Sequence, residues 1–523
     1  MKKILKLSCL ALGACMAVGI TACGKDDGSG GDGGSNGGGS ISVHYMAGGF
    51  GKEVYEKIAA DYKALTGVSV KFNASYSGGE IQNLLLSGQE KNDVVLPLLN
   101  MYAAQDANLL EDLTEVYNAT YTGESKPIKD KMNKSLYDYI EAKDGKRYQM
   151  FGTNSVSAIC YNIGTLNEAF GAGQWELPRT TNELVEMSAQ LKNKGYYAFT
   201  TSTGINYYWD YIGTVWWAQY EGIDSYNNFY YGKYWDSATS EWKLGAQIAD
   251  ARGREVALET LSTILSSRNG YTHPKSKDMD FTTAQRSFLN NGYLSDKTKV
   301  AFMVNGDWLE NEMASALLSN PQDIAMMRAP VVSELIEKLS TVNSEATLSA
   351  VVKAVDEGKT SYDGVSAEDF ARVKEARLMV YTATPNYPVG IPANRPAAKK
   401  QLAKDFLVYL HSDRAQKIYA TSLQGLTMPV DFNVLDENSG VQVSNFIRSR
   451  LSVFGNDMVA IFPRNASPIM YRGGMGDMSV GGGVDGKLFN GTSSSGLLAL
   501  AKQSIVDHWD EYMKALETSG SGT

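Results

Sequence analysis

Ile41-Ser42-Val43-His44-Tyr45-Met46 alternates apolar and polar side chains and ends at Ala47-Gly48-Gly49, after which Val54, Ile58, Tyr62 and Leu65 recur at helical spacing until Gly67. A short strand, a glycine loop and an amphipathic helix in immediate succession form the unit from which α/β proteins with mainly parallel sheets are built. The pattern repeats at once. Val68 to Phe72 is the next strand, Ser77-Gly78-Gly79-Glu80 opens a helix, Asn92-Asp93-Val94-Val95-Leu96 is a buried strand, and Tyr148 to Phe151 ends a further one at Gly152. Units of this kind present their ligand loops at the carboxyl ends of the strands.

Beyond Asn154 a second α/β body begins with Ser157 to Asn162 as a strand. Thr180 and Glu183 form a capping box, followed by Leu184, Met187 and Leu191 on one helix face and Gly195 as the stop. Lys299 to Val304 reads as a strand ending at Asn305-Gly306-Asp307-Trp308. Pro396 starts a helix whose buried face carries Leu402, Phe406, Leu407 and Leu410. A last helix is expected over 497–516 with Ile505, Trp509 and Met513 inward, and no repeat of 20–50 residues occurs.

The 523 residues suffice for two or three domains, and 43 % hydrophobic with 20 % charged residues suits a large buried core. A single small module, a disordered chain and a polytopic membrane protein are excluded. Forty-nine basic residues against 58 acidic, with no Lys/Arg-rich cluster, argue against nucleic acid as a partner. Thirty Tyr and 8 Trp against 16 Phe mean that most rings carry a polar handle, which suits sugar faces and core edges alike.

Residues 1–22 read as a secretory signal, with Lys2, Lys3 and Lys6 ahead of an apolar stretch from Leu7 to Ile20 that is short for a membrane span. Ile20-Thr21-Ala22-Cys23 resembles a bacterial lipobox, which marks Cys23 for lipidation. Gly24 to Ser40, almost wholly Gly, Ser, Asp and Asn, is a flexible tether whose r.m.s. span is roughly 20–25 Å. Cys9 and Cys15 leave with the signal, so the folded body keeps only Cys160 and no internal disulfide. The expected location is the outer face of the bacterial cytoplasmic membrane, with a lipid anchor as the only membrane attachment.

Several segments in this order resemble the extracellular solute-binding protein family 1 of sugar ABC transporters, similar to maltose-binding-type proteins. They are Asn92-Asp93-Val94-Val95, then Asn108-Leu109-Leu110-Glu111-Asp112-Leu113-Thr114, then Cys160-Tyr161-Asn162 with Leu177-Pro178-Arg179-Thr180. Lys299 to Trp308, Val389-Gly390-Ile391-Pro392 and Ala403 to Leu410 follow. The resemblance implies a two-lobed, periplasmic-binding-protein-like α/β fold of type II, with a ligand cleft between lobes joined by crossovers. It places the first lobe at 41–152 plus 388–436 and the second at 153–387 plus 437–523, with 252–296 and 331–377 as insertions. It also implies a carbohydrate ligand, best an oligosaccharide given the aromatic content, and ABC permease subunits as partners of a monomeric receptor.

Pyranose rings need aromatic platforms with polar side chains at their edges. Trp308, by resemblance to the family's Gly-x-Trp segment, would line the cleft with Asn305 and Asp307. Tyr207 and Trp209 open the densest aromatic cluster, although Trp209, Trp216 and Tyr220 at near-helical spacing equally suit a core. Tyr45 and Tyr76 precede glycine turns at strand ends, and Asn154, Asn386 and Tyr387 flank the expected crossovers. Turn chemistry alone would also account for these.

No cofactor or metal is expected, since His44, His273, His411 and His508 are scattered without ligand spacing. Gly481 to Gly486 matches G-x-G-x-x-G, yet without a preceding strand or a following helix it reads as a loop. An exported glycan-active enzyme, needing only two placed carboxylates among the 58 acids, is the alternative to a non-enzymatic receptor.

Overall fold

The computed structural model describes residues 39–47, 52–77, 79–202, 208–290, 298–455, 457–476 and 483–519. The signal segment, Cys23, Tyr207 and most of the tether lie outside the described residues. The chain divides into two compact units, one from Met1–Ile128, Ala142–Gly152 and Asn386–Ile418, the other from Lys129–Glu141, Thr153–Pro385 and Tyr419–Thr523. Residues 129–141 and 419–436 thus belong with the second unit, where the expectation had them in the first. Met132 bridges Val430 and the Asp431 N–H donates to the Lys131 carbonyl at 2.5 Å, which joins the two segments, and the Tyr139 hydroxyl ties them to the second unit by accepting from the Ala466 N–H at 3.0 Å.

The strands in chain order are β1 (Ser40–Met46), β2 (Ser69–Ser75), β3 (Val94–Leu96), β4 (Met150–Phe151), β5 (Val156–Asn162), β6 (Tyr197–Phe199) and β7 (Lys233–Asp236). They continue with β8 (Glu241–Leu244), β9 (Val300–Gly306), β10 (Ile324–Met327), β11 (Met379–Thr382), β12 (Pro388–Val389) and β13 (Val459–Ile461).

The first unit holds a parallel sheet in the order β2-β1-β3, with Val43 opposite both Phe72 and Val94. The helix Glu53–Thr66 makes the crossover from β1 to β2 and stops at Gly67, whose φ of 74° only glycine adopts without strain. Tyr45 shares the inward phase of Ile41 and Val43, packs its ring 4.8 Å from Tyr55 and 5.8 Å from Phe72, and is 3 % exposed. The period-two pattern that makes β1 a strand makes Tyr45 a core residue, so the expected ligand role does not survive. On the opposite face His44 Nδ1 meets the Glu90 carboxylate at 2.8 Å, and Glu90 also accepts from the Lys91 and Asn92 N–H groups and from Asn92 Nδ2.

The sheet of the second unit runs β13-β11-β5-β9-β6, with β10 also beside β5. It is mixed rather than mainly parallel, because β5 runs antiparallel to β9, β10 and β11. The chain enters β5 from the edge at which β6, β9, β11 and β13 end.

The helix Tyr208–Glu221 crosses this sheet with eleven of its fourteen residues buried, the signature of a helix apolar all round. Trp209 is 1 % exposed and sits edge-on to Phe199 at 5.1 Å, so the core reading of the aromatic cluster holds and the ligand reading of Trp209 does not. A side chain at Gly253 would meet the Trp217 ring and carbonyl at 2.7 Å, which is how the helix Arg252–Leu265 lies so close to it. The segments expected as insertions are part of this core, through Val256, Leu261, Ile264, Leu348, Val351 and Phe370.

Three local expectations change. The Thr180 hydroxyl accepts from the Glu183 N–H, but Glu183 returns its bond to the Arg179 N–H at 2.6 Å, one residue early for a capping box. The last helix is two, Ser494–Asp507 and Trp509–Thr518, parted where His508 leaves helical geometry; Ile505 is buried and Trp509 and Met513 pack against the core as expected, with Tyr512 and Ala515 buried beside them. Gly483 does precede a helix, Val484–Phe489.

A buried ion pair ties the second unit together. Asp307, 1 % exposed, accepts from Ser155 Oγ at 3.0 Å, the Val156 N–H at 3.2 Å and Arg450 Nε at 3.2 Å. Arg450 comes from the helix Asn445–Val453 and also donates to the Asn154 carbonyl at 3.0 Å.

Two outcomes follow from these buried charges. Arg450→Leu should lower unfolding free energy by about 3–5 kcal/mol by stranding Asp307, whereas the Asp307→Leu/Arg450→Leu double variant should recover most of the loss in denaturant titrations. Burial would raise the Glu90 carboxyl, but His44 and Asn92 outweigh it and hold it below its ordinary value of 4.5. Its stabilisation is therefore complete above that pH and lost as the pH falls through the folded-state value. Glu90→Gln should cost about 1–3 kcal/mol at pH 7 and progressively less as the pH falls through the folded-state value.

Candidate functional site

The carboxyl ends of β6, β9, β11 and β13 converge on the edge of the second sheet where residues 153–156 lead into β5, the edge at which open α/β sheets take their ligands. The ends of β9 and β11 are locked to that entry. The Asp307 N–H donates to the Val156 carbonyl, and the Thr382 hydroxyl donates to the Ser155 carbonyl at 2.6 Å. Thr384 Oγ1 accepts from the Ser155 N–H at 3.0 Å.

Trp308 emerges directly from β9 and is half-buried, its six-membered ring lying on the Cα of Gly306, where a Cβ would fall 2.3 Å from three ring atoms. Tyr208, half-buried at the start of its helix, stands 6.4 Å from Trp308 and 5.8 Å from Tyr211. Tyr211 in turn stacks on Tyr381 of β11 at 4.1 Å and 17°. The result is a chain of four rings along the strand edge, three of them only partly covered.

Several buried polar atoms belong to the same strands and their ends. Asn154 Oδ1, Ser157 Oγ, Ser202 Oγ and Asn305 Nδ2 are buried and make no hydrogen bond within the described structure. Such groups are normally satisfied, and the desolvation of each costs about 1–3 kcal/mol when they are not. Burial pushes the Asp307 carboxyl up against the opposing pull of Arg450 and its other donors. Glu310 and Glu312, on the turn after Trp308, are likewise raised by burial, offset in part by Ser444 and Gln285. Burial also pushes the Cys160 thiol up, which keeps it from acting as a thiolate nucleophile. Among the described residues no group of three or more His, Cys, Asp or Glu converges as a metal site would.

Of the residues chosen from sequence, Trp308, Asn154, Asn305 and Asp307 meet at this edge. Asp307 faces the ion pair, and Asn305 is fully buried with its Oδ1 accepting from the Gly306 N–H at 2.8 Å, so both serve the frame beneath the ring chain. Tyr76 belongs to the first unit, where it is 78 % exposed. Asn386 and Tyr387 also belong to the first unit, where the Tyr387 carbonyl accepts from the Gly152 N–H at 2.8 Å. Sequence reading missed Tyr208, Tyr211, Tyr381 and Arg450. Tyr208 stood between two chosen neighbours and differs from Trp209 in helical phase, whereas nothing local marks Arg450, 143 residues from Asp307.

The fold has many solved counterparts. A family 1 extracellular solute-binding protein from Bifidobacterium longum subsp. infantis shares 15% identity over 91% of this chain and 100% of its own, with a TM-score of 0.54. Maltose-bound T. maritima MalE3 shares 16% over 90% and 99% at 0.55, and a chitin oligosaccharide binding protein 17% over 90% and 99% at 0.56. No curated protein sequence matches the chain. The sequence pattern of the bacterial extracellular solute-binding protein family matches residues 57–439, most of the described body. The chain belongs to the bacterial extracellular solute-binding protein family.

Proposed function

We propose that this chain captures a carbohydrate, an oligosaccharide rather than a single sugar, and delivers it to the permease of an ABC transporter without altering it. The observation that carries the reading is the ring chain Trp308, Tyr208, Tyr211 and Tyr381 at the carboxyl edge of the second sheet. The partly exposed faces of Trp308, Tyr208 and Tyr211 suit the C–H faces of successive pyranoses. Two structures of similar fold, named for maltose and for chitin oligosaccharide, lend support. A neutral polyol also fits a site whose main charged pair, Asp307 with Arg450, is consumed internally. We infer further that Cys23 carries a lipid that holds the monomer at the outer face of the cytoplasmic membrane, on the support of Ile20-Thr21-Ala22-Cys23 and the Gly/Ser-rich run behind it.

Thermal midpoints of the protein against a panel of oligosaccharides test the reading, since a ligand at a hundred times its Kd adds about 2.7 kcal/mol. A shift with one linkage class, with the sugar recovered intact, is expected; shortened sugar would mean a glycan-active enzyme instead. Trp308→Ala should weaken that binding by about 2 kcal/mol or more, some 30-fold, while the variant still folds cooperatively in thermal melts. Trp209→Ala, by contrast, should cost about 3–5 kcal/mol of fold stability. Cys23→Ser should move the protein from the membrane fraction to the soluble fraction of cells; retention in the membrane would overturn the anchor.

A further inference from the structure

A second aromatic recess lies on the same unit, well away from the strand edge. Its floor is Trp217 and Phe229, its wall is the hairpin of β7 and β8, and its volume is about 550 Å³, inside the range of roughly 300–1,000 Å³ for small-molecule sites. Trp217 follows Tyr208 by nine residues on one helix, which separates recess and ring chain by about 14 Å along the axis at 1.5 Å per residue.

The hairpin pairs only with itself among the described strands. Trp235 and Trp242 are directly opposed on it, with centroids 5.3 Å apart at 66°. Trp235 is nevertheless 50% exposed, an unusual expense for a ring whose only described stacking partner is its cross-strand neighbour. The Trp217 indole at the floor is also incompletely satisfied. Trp217 is 0% exposed and lines the recess, yet its Nε1–H has no acceptor in the described structure, whereas Trp216 beside it donates to the Pro330 carbonyl at 3.0 Å. Buried indole N–H groups usually find a partner.

The rim decides the chemistry of the occupant. Glu221 and Asp250 supply carboxylates, Lys233, Arg252 and Lys338 supply cations, and Gln247 supplies an amide. Several of these charges are already engaged: Glu221 accepts from the Gly253 N–H at 2.6 Å, Asp250 pairs with Lys502, and Arg252 pairs with Glu255. An anion or a cation would find nearly balanced charge, while a neutral polyhydroxylated molecule with flat C–H faces finds Trp platforms, donors and acceptors. We propose that this recess is a second saccharide-binding site, taking a short stretch of neutral glycan independently of the strand edge.

Calorimetric titration of the full chain with maltotetraose, cellotetraose, xylotetraose and chitotetraose tests this, with tryptophan fluorescence as a second readout. At least one of the four should saturate at two equivalents. Trp235→Ala should abolish the second equivalent or raise its Kd at least 10-fold, with the first retained and the thermal midpoint unchanged, and Trp235→Tyr should restore most of it. In a Trp308→Ala background the recess should be the remaining site, and its saccharide should still quench fluorescence. Saturation at no more than one equivalent with all four sugars, or a second equivalent that survives Trp235→Ala unaltered, overturns the proposal.

Discussion

The buried pair of Asp307 and Arg450 is the constraint on which the second unit turns. It joins the end of β9, the entry to β5 and the helix Asn445–Val453, three segments far apart in sequence. Removing two charges from water costs several kcal/mol per ion, and only good geometry with added hydrogen bonds offsets that. Here the offset is supplied by Ser155, by the Val156 N–H and by the second Arg450 bond to Asn154. Because Trp308 is the next residue, the direction in which its ring leaves the sheet is set by how firmly Asp307 is held.

The aromatic residues show how one chemistry serves two purposes. Within Tyr208–Glu221, Trp209, Trp216 and Trp217 fill the core while Tyr208 and Tyr211, on another phase of the same helix, line the strand edge. Burying rings of this size gives the helix its hold on the sheet. Tyr hydroxyls at the rim let the remaining rings stay partly wet at little cost. The same helix also supplies the Trp217 floor of the recess beneath β7 and β8. One element therefore links core, strand edge and recess.

Low identity to the solved structures, 15–17%, alongside coverage of nine-tenths of the chain, is what such a fold permits. The frame depends on hydrophobic phase and on the few polar locks at the strand ends, and many side-chain sets satisfy both. Loops at the carboxyl edge are free to differ, so ligand choice varies on a constant scaffold. The helices expected as insertions bury Val256, Leu261, Leu348 and Phe370 in the core of the second unit.

How much was legible in advance follows from the range of the forces involved. Strand and helix positions such as Ile41 to Met46, Thr181 to Asn193 and the stop at Gly67 could be read from the residues, because periodicity, caps and glycine conformation act within a few residues. The apolar strand that ends just before Trp308 was legible for the same reason. The mixed direction of the second sheet, the burial of Tyr45 and Trp209, the diversion of Asp307 into an ion pair and the arrival of Arg450 were not. Each depends on which surfaces meet when distant segments pack. An aromatic or charged side chain has the same local signature whether its neighbour is solvent, a sugar or a partner 143 residues away. The sequence by itself determined the α/β alternation, the family and the stock of aromatic platforms. Only the tertiary structure decided which rings became core and which remained partly exposed, because desolvation is a property of the assembled surface and not of the chain.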